Sequence, residues 1–129
     1  MQSSNDTLRF RWPGIVAAVA GASAVILGAL GAHALAAHVS AQLLGVWQTS
    51  VHFQFWHALA LLGCALLPRT RAAGIAAGLF AIGIVLFCGS LYALALGAPH
   101  SIGLVTPFGG LAFIAGWIAL GVVFYRRRS

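Results

Sequence analysis

The sequence predicts an all-α, polytopic membrane protein: four transmembrane helices in an antiparallel bundle. Three observations predict it. Apolar residues make up 61% of the chain and charged residues only 6%, with a mean hydropathy of +0.99. The apolar residues gather into stretches of about 20, the length that crosses a hydrocarbon core of about 30 Å. The charges fall in the gaps between those stretches. A soluble domain needs a charged outer surface, and this chain cannot supply one. With 129 residues, four spans leave room for a single domain, residues 1–129, and no soluble module.

Each span has its own signals. Residues Met1 to Leu8 are polar and precede the bundle. Span one is expected over about 13–33, with Pro13 in its first turn and Trp12 in the interfacial belt. Its apolar run from Pro13 to Ala32 exceeds the roughly 7–15 residues of a signal-peptide core, so it reads as a retained span. Ala17, Gly21, Ala24, Gly28 and Ala32 recur at spacings of three and four, which puts small residues on one face and invites close helix packing. Span two is expected over about 44–67, with Trp47 at its outer end and Pro68 as its stop. The Pro68-Arg69-Thr70-Arg71 connection is short enough to make spans two and three an antiparallel hairpin. Span three, about 72–96, carries a second packing face through Gly74 and Gly78. Span four, about 106–125, opens on Thr106-Pro107, read as an N-cap followed by a first-turn proline. Gly116 gives it a small-residue face as well.

The charge map orients the bundle. Arg9 and Arg11 precede span one, Arg69 and Arg71 separate spans two and three, and Arg126, Arg127 and Arg128 follow span four. The other two connections contain no Lys or Arg. The positive-inside rule then places both termini in the cytoplasm and the loops near His38 and His100 outside. The net charge of +6, with Asp6 as the one acid, therefore reads as a topology signal with contacts to anionic headgroups, not as a nucleic-acid surface. Cys64 and Cys88 fall at depths about 15–20 Å apart on straight helices, too far for a disulfide, and read as buried small hydrophobes.

A small set of polar residues lies within the expected spans: His33, His52, Gln54, His57, Ser90, Tyr92 and Thr106. His57 falls near the midplane and the rest toward the outer side. Gln54 and His57 are three apart, so they share a face of span two, which Trp47, Ser50 and Leu61 roughly continue. His52 points elsewhere, beside Trp56. Polar groups in lipid must find partners. The expected use is a hydrogen-bond clasp between helices, with His57 a neutral ring bonded to another span. The candidate cluster is His33, Gln54, His57, Ser90, Tyr92 and Thr106.

Other chemistries have thinner support. Five histidines raise haem or metal ligation, with His33 and His52 as a conceivable axial pair. No spacing forms a strong ligand motif, and no cofactor is expected. Ser90 beside His57 resembles a Ser–His dyad, but no third group or oxyanion site can be named. The spans hold no carboxylate, which argues against a di-metal carboxylate site and against ion-coupled pumps.

Taken together, Gly28-Ala29-Leu30-Gly31-Ala32-His33, Trp47, Phe53-Gln54 with His57-Ala58-Leu59, Gly89-Ser90-Leu91-Tyr92, Thr106-Pro107 with Gly109-Gly110, and Gly116-Trp117 resemble the YgdD family. The resemblance runs in order over nearly the whole chain. It implies a small four-span protein of the bacterial inner membrane, with relatives among animal transmembrane proteins and no established activity. The family usually has Tyr before the Gln, where this chain has Phe53, and His52 also departs from its pattern. The function expected is non-enzymatic: a structural, accessory or assembly factor that packs against other membrane proteins or itself. An oligomeric small-solute carrier or channel is the alternative, and a haem- or metal-binding protein the second.

Overall fold

In the computed structural model the structure describes residues 11–127. Asp6, Arg9 and Arg128 lie outside the described residues. Those described form helices and turns, with no strand among them. Four long helices run in order: α1 (Trp12–His33), α2 (Ala41–Leu66), α3 (Arg71–Ala95) and α4 (Thr106–Arg126). By length and composition three helical stretches can cross a membrane: Trp12–Ala37, Arg71–Ala95 and His100–Arg126. Helix α2 has 26 residues and carries most of the buried polar side chains, Ser50, Gln54 and His57 among them.

Local chemistry sets the helix ends. Ser40 caps α2 by accepting the Leu43 N–H at 3.2 Å, so α2 begins at Ala41, three residues before the start expected at Leu44. It ends at Leu66 because Leu67, ahead of Pro68, takes the extended backbone that a following proline demands. Thr70 caps α3 through the Ala73 N–H at 3.1 Å. Helix α3 ends at Ala95, and two residues on the chain turns at Gly97, whose φ of +99° suits glycine. There Ala98 N–H donates to Ala93 O at 2.9 Å and Gly97 N–H to Leu94 O at 3.1 Å, closing the helix end. Thr106 is not an N-cap. A 3-10 turn over His100–Leu104 feeds directly into α4, Thr106 is already helical, and its hydroxyl points to α3.

Packing follows two pairs, α1 on α2 and α3 on α4, joined where α2 meets α3. The shared core is aromatic and small: Phe80, Leu61, Cys64 and Cys88 with Phe113, Ala76 and Ala77. Cys64 and Cys88 are both buried free thiols. Large apolar side chains such as Val19, Ile26, Val85 and Ile118 face outward, the inverse of a soluble bundle.

The small residues divide differently from expectation. Gly31 lies under the Trp47 indole, where a Cβ would come within 2.6 Å of the ring. A Cβ at Gly116 would come within 2.8 Å of the Phe80 ring. Gly83 lies under Phe113, and Gly109 against the backbone of Phe87. At Gly28 the approach is milder: a Cβ there would sit 3.3 Å from the Val51 side chain. Gly21 and Gly78, expected as close-approach points, have open space where a Cβ would go. Gly74 is half-buried. On α1 the buried residues are Pro13, Ala17, Ala20, Ala24 and Gly31, which keeps Ala17 and Ala24 of the expected face and adds Ala20 and Gly31.

Helix α3 contains one feature with no sequence signal. Residues Ile84–Cys88 form a π-helical stretch, which inserts an extra residue into the turn and rotates everything after it. That rotation sets the direction of Ser90 and Tyr92.

Candidate functional site

The polar side chains of α2 form a stripe. Trp47, Ser50, Gln54 and His57 are all buried, and Leu61 and Cys64 continue the line. Spacings of three and four keep them on one face. Each of the four polar groups bonds to another helix.

Gln54 is the hub. Its Nε2 donates to Ala20 O at 2.9 Å and to Ser23 Oγ at 2.7 Å, both on α1. Its Oε1 accepts the Tyr92 hydroxyl of α3 at 2.6 Å. Ser23 Oγ in turn donates to Ala20 O at 3.2 Å. Both amide hydrogens and the carbonyl oxygen are therefore engaged. Toward the start of α2, Trp47 Nε1 donates to Leu27 O of α1 at 2.8 Å, and its ring meets Tyr92 edge-on at 4.7 Å. Between them, Ser50 Oγ donates to Cys88 O at 2.9 Å, at the end of the π-helical stretch.

His57 reaches α4. Trp117 Nε1 donates to His57 Nε2 at 3.1 Å, and His57 Nδ1 lies 2.7 Å from Phe53 O. An indole N–H can only donate, so Nε2 is the acceptor. The ring proton then sits on Nδ1 and donates to Phe53 O, which makes His57 a neutral imidazole of one defined tautomer. Its ring stacks on Phe113 at 3.6 Å with 12° between planes. A third contact closes the bundle. Ser90 Oγ donates to Phe87 O at 2.9 Å and lies 2.6 Å from Thr106 Oγ1. With the Ser90 proton on Phe87 O, Thr106 is the donor across the α3–α4 interface.

The structure thus brings Gln54 and Tyr92 into one unit, Ser90 and Thr106 into another, and His57 into a third with Trp117. His33 is not with them: it is exposed at the end of α1. His52 is exposed on the outer side of α2 and stacks on Trp56 at 6.0 Å. Ser23 and Trp117 are partners that the polar-residue reading left out. Among the described residues no three His, Cys, Asp or Glu side chains come together as a metal site. No buried side-chain nitrogen or oxygen among them lacks a hydrogen-bond partner.

A family model described as a protein of unknown function, DUF423, matches residues 27–110. Relatives agree along more of the chain. The UPF0382 inner membrane protein YgdD of Escherichia coli (strain K12) is 40% identical over 120 residues, covering 89% of this chain and 92% of that protein. The chain belongs to the DUF423 family. A UPF0382 membrane protein of Staphylococcus saprophyticus is 41% identical over 108 residues, 82% of this chain and 90% of its own length. One from Staphylococcus haemolyticus is 41% identical over 95 residues, 72% of this chain and 78% of its own. No solved structure matches the chain. This DUF423 chain is a membrane protein whose molecular function is unknown. The region matched to the DUF423 model contains Trp47, Ser50, Gln54, His57, Ser90, Tyr92 and Thr106, while Ala20, Ser23 and Trp117 lie outside it.

Proposed function

We propose that this DUF423 protein is a non-enzymatic membrane component, a structural or assembly factor that docks laterally on other membrane proteins. All four helices cross the bilayer, with both termini cytoplasmic. Helix α2 is long enough, since 26 residues span about 39 Å, and its buried polar side chains turn inward, where lipid does not meet them.

One observation carries the reading: among the described residues every buried side-chain nitrogen or oxygen has a hydrogen-bond partner. A carrier or channel needs polar groups free to hold a solute along its path. Here the same groups hold α1, α3 and α4 to α2. What the molecule offers a partner is its lateral surface. Between α1 and α2 runs a groove of 310 Å³ lined by Ala24, Gly28, Val51, His52, Phe55 and Trp56. It is shallow, small-sided and flanked by aromatic rings, as helix–helix contacts in membranes require. His52 stands in it as an imidazole turned toward lipid, an arrangement that favours a partner helix able to hydrogen-bond to it.

A photo-crosslinking side chain at Val25, on the groove, and another at Ile118, on α4, test the proposal in intact cells. Discrete adducts with another membrane protein from Val25, absent from Ile118, are expected. Only lipid adducts from both positions would contradict it.

A further inference from the structure

A second pocket lies apart from the clasp, at the arginine-rich end of the bundle. Its volume is 270 Å³, and Pro68, Thr70, Arg71, Ala72, Val123, Arg126 and Arg127 line it. Three chain segments meet there: the exit of α2, the first turn of α3 and the last turn of α4. Thr70 is turned onto its own helix, accepting Ala73 N–H at 3.1 Å, and its carbonyl accepts Gly74 N–H at 3.0 Å. The N–H groups of Arg71 and Ala72 precede the first intrahelical bond and point out of the helix end. Three exposed arginines therefore line one opening together with a helix N-terminus. The described residues contain no Asp or Glu to neutralise them, since Asp6 is the one acid of the chain. Guanidiniums gathered without a carboxylate repel one another and call for an anion with several acceptor oxygens.

We propose that this pocket binds the phosphate group of an anionic phospholipid. Arg71, Arg126 and Arg127 bond the non-ester oxygens, and the α3 N-terminus adds its dipole. Free phosphate offers the same chemistry. The lipid is favoured by the apolar character of these helix ends: Val123 is a buried apolar part of the pocket wall, and Leu66 near the end of α2 and Phe124 near the end of α4 are exposed apolar side chains (78% and 54% exposed). A headgroup seated at the arginines leaves its acyl chains beside these residues.

The full chain is purified in dodecyl maltoside micelles doped with dioleoylphosphatidylglycerol or dioleoylphosphatidylcholine, and retained lipid is read by native mass spectrometry. Phosphatidylglycerol is expected to be retained in preference to phosphatidylcholine. The Arg71→Gln/Arg126→Gln double variant should weaken that retention by about fivefold per arginine. Arg11→Gln, which removes one charge outside the pocket as Arg71→Gln does inside it, should leave it within about twofold, and Arg71→Lys/Arg126→Lys should keep most of it. Equal losses from Arg11→Gln and Arg71→Gln would reduce the effect to net charge and overturn the site. Binding of inorganic phosphate with this arginine dependence, alongside phosphatidylglycerol retention without it, would overturn the lipid as occupant. If the glutamine double variant does not elute as a single species, the two single variants carry the same comparison.

Discussion

Both amide hydrogens of Gln54 go to α1 and its oxygen receives the Tyr92 hydroxyl of α3. Losing such a residue removes several interhelical bonds at once and leaves Tyr92 and Ser23 short of partners. Interhelical bonds in lipid are worth about 0.6–2 kcal/mol each, so Gln54→Leu should cost about 2 kcal/mol in reversible unfolding in detergent. His57 makes fewer such bonds. His57→Leu should cost about 1–2 kcal/mol, and His57→Asn, which retains an acceptor for Trp117, should cost less. The tautomer can be checked independently: nitrogen NMR should find His57 protonated at Nδ1 and bare at Nε2. The face shared by Gln54 and His57 was legible from their spacing alone, and Ser50 and Trp47 extend it. Their partners were not. Ser23 is one hydroxyl in an Ala-rich helix, and Trp117 reads as an interfacial or lipid-facing ring until the register of α4 against α2 is known.

Helix packing shows where pattern and structure part. Small residues at spacings of three and four marked Gly21 and Gly78 as contact points, yet both face open space. Spacing identifies a face that could be approached closely. What approaches it depends on the bulky group opposite: the Trp47 ring over Gly31, the Phe113 ring over Gly83 and the Phe87 backbone against Gly109. A flexible side chain can move aside, whereas backbone cannot. Gly109→Leu should therefore prevent a monodisperse fold, while Gly78→Leu should elute and melt like the parent; size-exclusion chromatography with a thermal melt makes the comparison. The π-helical stretch Ile84–Cys88 was likewise invisible in sequence. Its apolar residues fit an α-helix equally well, and only the bonds from Ser50 to Cys88 O and from Tyr92 to Gln54 show why the extra residue is kept. Inserting one alanine between Cys88 and Gly89 would turn Ser90 and Tyr92 about 100° away from their partners. The expected result is loss of the folded species, read by the same chromatography.

At the scale of the molecule, composition and charge placement gave the helical class and the limits of most elements. Apolar length has a plain physical cause in bilayer thickness, and arginine position has one in translocation. The orientation proposed from the arginines predicts that reporter fusions after residues 38, 70, 100 and 129 will read outside, inside, outside, inside. A C-terminus outside would contradict it. Function was the least legible part, because inward polar groups look alike in sequence whether they clasp helices or line a path. Geometry separates the two uses: a path leaves polar groups free, and a clasp pairs them. The most direct test is a double-mutant cycle of Gln54→Leu and Tyr92→Phe on reversible unfolding in detergent. A clasp predicts that each change destabilises the protein and that the pair is coupled by about 0.5–1.5 kcal/mol. Unfolding free energies unchanged by either substitution, with no coupling between them, would contradict it.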